Sequence, residues 1–81
     1  MNSFIITEAG IILFVRHICS IAFDRFDGTY AIMKNGIRCK ICNRDACRRI
    51  AQELQNGAAW FDFSNGRCKF GIEKGDDYEE I

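Results

Sequence analysis

Cys39 to Gly57 reads CKICNRDACRRIAQELQNG, and the fold turns on how this stretch is parsed. It carries three of the five cysteines and the clearest helical periodicity in the chain. Asn43 is placed to cap a helix, its side-chain oxygen accepting from the free N–H groups of the first turn. Asp45 falls in that turn, where negative charge suits the helix dipole. Ala46, Cys47, Ile50, Ala51 and Leu54 recur on one stripe, while Arg44, Arg48, Gln52, Glu53 and Gln55 lie off it. Asn56-Gly57 ends the run, because Gly tolerates the left-handed turn that closes a helix. The spacing predicts an amphipathic helix over residues 44–56, about three and a half turns long. Its apolar stripe needs something to cover.

The flanking segments read as strands and turns. Ser3–Thr7 (SFIIT) is a short strand and Glu8-Ala9-Gly10 a turn. Ile11–Phe26 admits two readings. As strand, Ile11, Leu13, Val15, Cys19, Ile21 and Phe23 share one face; as helix, Arg16, His17, Ser20 and Asp24 gather on one side. The abundance of Ile and Val, with Asp27-Gly28 following as a hairpin turn, favours strands. Thr29–Lys34 and Ile37–Ile41 are joined by Asn35-Gly36, a strong hairpin signal. Ala59–Phe63 and Arg67–Ile72 form another hairpin around Ser64-Asn65-Gly66. The expectation is an α+β fold, an antiparallel β-sheet of hairpins with one main α-helix (44–56) packed on one face. Were Ile11–Phe26 helical, the order would become ferredoxin-like, β-α-β-β-α-β.

Eighty-one residues make one domain with a modest core, and a 48% hydrophobic share with seven Phe argues for a folded globule. There is no Pro, repeat or low-complexity tract to mark a linker. No basic region precedes the first apolar run, and Arg16-His17 interrupts it, so neither a signal peptide nor a membrane span is expected. A cytoplasmic protein follows. Net charge is zero but unevenly spread. Residues 1–72 hold ten Lys or Arg against six acids, +4; residues 73–81, EKGDDYEEI, hold five acids against Lys74, −4. The expected organisation is a domain over 1–72 and an acidic C-terminal tail over 73–81. That tail, with Asp76, Asp77, Glu79 and Glu80, reads either as a frayed solvated end or as an anionic strip that meets a basic partner or the protein's own basic face.

The cysteines pose the metal question. Cys39-x2-Cys42-x4-Cys47 resembles half of a zinc site that Cys68 or the His17/Cys19 pair would complete, but a second paired motif is missing and Asn43 stands where a knuckle glycine is usual. Helix geometry offers another account, with Cys42 and Cys47 packing as a staple and Cys39 and Cys68 buried as small hydrophobes. No metal and no cofactor are expected; if zinc binds, its ligands are Cys39, Cys42, Cys47 and Cys68. A thioredoxin-like role for Cys39-Lys40-Ile41-Cys42 fails because Cys39 lies in a strand, away from a helix N-terminus. Nothing in the spacing brings His17, the single histidine, to a particular thiol, and the glycines are scattered at turns rather than gathered in a phosphate loop. No enzyme is expected.

What remains is an exterior. Alternation puts Cys39 and Cys68 toward the helix and Arg38, Lys40, Arg67 and Lys69 toward water, with Trp60 on the open face. If the two hairpins are neighbours, four cations and an indole share one surface; Arg44 and Arg48 (beside Arg49) extend the basic cluster, and Tyr30 offers a second ring. Such a surface suits an acidic protein or a nucleoprotein complex, or nucleic acid directly, through phosphate contacts and stacking. In size and layout the chain resembles the small phage-encoded inhibitors of bacterial defence, anti-CRISPR proteins among them. That resemblance rests on no motif and assigns no residue a role. It implies steric inhibition, blocking a nucleic-acid site or the assembly of a defence complex in the host cytosol. A small nucleic-acid-binding module, stabilised or not by Cys-ligated zinc, is the alternative.

Overall fold

The computed structural model describes residues 3–72 and the backbone of residues 78–80. Along the chain run β1 (Phe4–Ile6), β2 (Ile12–Phe14), a 3-10 turn (Val15–His17), β3 (Ile18–Asp24), β4 (Gly28–Met33), β5 (Arg38–Cys42), α1 (Cys47–Gln55), β6 (Ala58–Asp62), β7 (Lys69–Ile72) and β8 (Tyr78–Glu80). The fold is α+β, as the sequence predicts, but the strands divide into two sheets. One has five strands in the order β2-β1-β6-β7-β8; the other has three, β3-β4-β5. Neighbours are antiparallel except β1 and β6, which run parallel. Ile11–Phe26 is strand on both sides of the 3-10 turn, so the ferredoxin-like order is not realised.

The turns form where their residues demand. Gly36 and Gly66 take φ of +88° and +76°, closing the two hairpins, and Gly57 takes +97° at the helix end. The sheets are joined twice. The chain passes from β2 to β3 through the 3-10 turn. At another corner, Glu8 N–H donates to the Ile41 carbonyl at 2.9 Å and its carboxylate accepts from Asn43 N–H at 3.1 Å. Both sheets and the helix feed one core: Ile5, Leu13, Ala31, Ile41, Cys42, Ala46, Ile50, Ala58, Phe61, Phe63 and Cys68. Each large apolar side chain buried there contributes roughly 1.5–3 kcal/mol.

The helix is shorter than the expected 44–56. It starts at Cys47, and its cap position is Ala46 rather than Asn43. Asn43 lies in the bend just after β5 instead, with its N–H held by Glu8. A residue from another strand does the capping work. Thr29, fully buried on β4, donates its hydroxyl to the Arg44 carbonyl at 2.5 Å and accepts from Ala46 N–H at 2.8 Å. Asp45 precedes the first turn, where its Oδ1 accepts from Cys47 N–H at 3.4 Å. Of the expected stripe Ile50 is buried and Leu54 packs at its edge, but Ala51 is exposed. Gly28 shows how closely β4 approaches β5. Its φ is +71°, and a Cβ there would run into the Cys42 carbonyl oxygen and stand 2.9 Å from Asn43 Cα.

Candidate binding surface

Two-residue alternation and the register assign every central strand position of the larger sheet to a face. Leu13, Ile5, Phe61 and Phe70 are cross-strand partners in one row pointing into the core. The opposite face therefore carries two further rows. One runs Phe14–Phe4–Trp60–Gly71 and the other Ile12–Ile6–Asp62–Lys69. Phe14 and Ile12 are 40% and 54% exposed, and Phe4, Ile6 and Trp60 are half-buried. This is a contiguous apolar patch on a sheet face that the helix leaves uncovered.

Its parts are packed against one another. The Phe4 and Phe14 rings meet edge-to-face at 6.5 Å between centroids, and the Arg16 guanidinium lies over Phe14 at 5.3 Å. The Trp60 indole lies across Gly71, where an added Cβ would stand 2.6 Å from it. The glycine leaves the groove that the ring occupies. Lys69, opposite Asp62, gives this end of the face its charge.

The residues singled out from sequence are distributed differently from the single basic surface that neighbouring hairpins would give. Trp60 and Lys69 do share the face. Arg67 is exposed in the loop before β7. Arg38 and Lys40 belong to the other sheet, because β5 pairs with β4 and not with β7. There Arg38 is already engaged. Its guanidinium stacks over Tyr30 at 3.9 Å and bridges Asp24 at 3.3 Å and Asp27 at 2.9 Å. Asp27, Tyr30, Arg38 and Lys40 line an open depression of about 230 Å³ with charge of both signs. Asp24 Oδ1 also accepts from the N–H of Asp27 and of Phe26, and the first of these bonds does most to hold its carboxyl below the usual range. Arg44 and Arg48 are exposed around the start of the helix, and Arg49 pairs with Glu53 at 3.3 Å. Glu79 and Glu80 lie on β8, which pairs with β7 so that Glu80 is the register partner of Lys69; that part of the tail is a strand, not a frayed end. Asp76 and Asp77 lie outside the described residues.

The thiols are structural in their contacts. Cys42 Sγ donates to the Arg44 carbonyl at 3.4 Å, Cys47 Sγ to Ile21 at 3.3 Å and Cys68 Sγ to Lys69 at 3.7 Å. Burial pushes the Cys68 thiol up to about 12. Among the described residues no three His, Cys, Asp or Glu side chains are grouped as a metal would need, so Cys39, Cys42, Cys47 and Cys68 do not converge on one ion. Nor do Cys42 and Cys47 stand in staple positions, since the helix begins at Cys47 itself. His17 Nε2 accepts from Arg16 Nε at 3.0 Å. All five cysteines are free. Among the described residues no helix is long and apolar enough to cross a membrane.

Sequence reasoning missed Phe4, Ile6, Ile12 and Phe14 as surface residues. A signal was present: FII and IILFV are apolar at consecutive positions, so whichever face is buried, apolar side chains remain on the other. Comparison with protein-family models, curated proteins and solved structures finds no match to this chain.

Proposed function

We propose that this chain is a small non-enzymatic binding protein that works by occupying a partner's surface, in the manner of phage-encoded inhibitors of bacterial defence. The observation that carries the reading is the uncovered row Phe14–Phe4–Trp60 on the larger sheet, flanked by Ile6, Ile12, Arg16 and Lys69. Contiguous apolar patches on small soluble domains mark interaction sites, and aromatic residues beside cations are favoured anchors of protein interfaces. Five free thiols suit the reducing interior of a host cell. The partner on this reading is a protein or nucleoprotein complex, and its function is blocked sterically.

Expression in bacterial strains that each carry one active defence system, followed by phage plating, tests the proposal. The wild-type chain restores plating in at least one strain, and a folded Phe14→Ser/Trp60→Ala variant does not. No restoration anywhere, or equal restoration by the variant, rejects it. Direct binding of single-stranded nucleic acid is the second reading, favoured by the same aromatic row with Lys69 and Arg16 beside it. The acidic strand β8 alongside Lys69 opposes it. Quenching of Trp60 fluorescence by an oligothymidylate, weakening linearly on a log–log salt plot, would select this second reading.

A further inference from the structure

The strand β2 borders the larger sheet, and the direction of its backbone groups decides what that border can pair with. Thr7 N–H donates to the Ile11 carbonyl at 2.8 Å and Val15 N–H to the Ser3 carbonyl at 2.9 Å. In an antiparallel pair the residues that exchange hydrogen bonds alternate with those that do not. Ile11, Leu13 and Val15 therefore turn their backbone groups toward β1. Ile12 and Phe14 turn theirs away, to an edge beside which no strand lies among the described residues. Ile6, the partner of Ile12, obeys the same rule: its carbonyl points the other way and accepts from Phe63 N–H at 2.9 Å.

We propose that this edge pairs with the same edge of a second copy of the chain, antiparallel about a two-fold axis through Leu13. In that register Ile12 stands opposite the partner's Phe14, and Phe14 opposite the partner's Ile12. Ile12 presents its N–H and C=O outward and Phe14 its N–H, the Phe14 carbonyl being the N-cap acceptor of the 3-10 turn, so about two hydrogen bonds form across the axis. Side chains match as well as backbone. Ile12 and Phe14, 54% and 40% exposed, meet their counterparts on the outer face, and Ile11 at 54% exposure borders the contact. No charged residue lies between Glu8 and Arg16 to oppose pairing. An unprotected apolar edge strand is the feature that invites such addition. Because β2 is short, the interface is small and association is weak.

Sedimentation velocity on the full chain, from about 5 to about 500 μM, reads the outcome directly. The weight-average mass rises from 9.3 kDa toward twice that value. Ile12→Ser removes the apolar side chain that meets the partner's Phe14, and Ile12→Lys sets two like charges near the axis. Each weakens association at least tenfold while leaving the far-UV spectrum unchanged. Phe26→Ser, removing a 90% exposed ring outside this edge, leaves association as in the wild type. A chain that stays at 9.3 kDa throughout, Ile12 variants that associate normally, or loss of association in Phe26→Ser overturns the proposal.

Discussion

Replacing Thr29 with Val isolates the contact that starts the helix. Valine keeps the side-chain shape and removes the hydroxyl that joins Arg44 and Ala46. Ala46 is 4% exposed, so its N–H loses its acceptor where water does not reach it easily. An unpaired buried donor costs ~1–3 kcal/mol. The Arg44 carbonyl suffers less, because Cys42 Sγ also donates to it at 3.4 Å. The expected loss is ~2 kcal/mol, which in a domain of this size lowers the unfolding midpoint by roughly 10 °C. Urea and thermal unfolding followed by far-UV circular dichroism measure it. Thr29→Ser is the companion variant. It keeps the hydroxyl and gives up one methyl, costing about 1 kcal/mol. The reasoning fails if Thr29→Val lies within ~0.5 kcal/mol of wild type, or if the serine variant is the less stable of the two.

Three further outcomes are expected. Gly71→Ala puts a Cβ into the space of the Trp60 indole, so the ring moves and its emission shifts, and partner binding through this face weakens; unchanged emission would show that the groove tolerates a methyl. In native protein an aromatic disulfide reagent labels exposed Cys19 first, while Cys42 and Cys68 react only on unfolding; Cys68 reacting as fast as Cys19 would contradict its burial and its thiol held near 12. Asp24, lowered chiefly by the Asp27 N–H bond, stabilises the β3–β4 turn above its unfolded value of about 3.9, and the contribution is lost as pH falls through the still lower folded value. Amide shifts of Phe26 and Asp27 should titrate with a midpoint below about 3.9, and one above it refutes the assignment.

The parts of the fold that were legible in sequence are those decided within a few residues. Asn35-Gly36, Ser64-Asn65-Gly66 and Gly57 fall at turns because a positive φ is a local demand that Gly meets cheaply. The helix start was not legible. Its determinant is a hydroxyl on β4, seventeen residues before Ala46, and Asn43, locally the better cap, is held by Glu8 in the bend after β5. The division into two sheets was hidden for the same reason. Parallel pairing of Phe4–Ile6 with Trp60–Asp62 joins segments more than fifty residues apart, and no turn residue announces it. That pairing brings Phe4 beside Trp60 and so creates the candidate surface. Alternation identified Trp60 and Lys69 as outward-facing but could not supply their neighbours.

The larger sheet ends differently on its two sides. Its β8 border carries Glu79 and Glu80, so two such borders brought together would repel, while the β2 border carries no charge over Ile11–Val15. Growth of this sheet by strand addition is therefore open in one direction and closed in the other. On the pairing proposed for β2, the larger sheet is extended once and then ends on its acidic margin, a termination rule that separates a finite pair from a fibre.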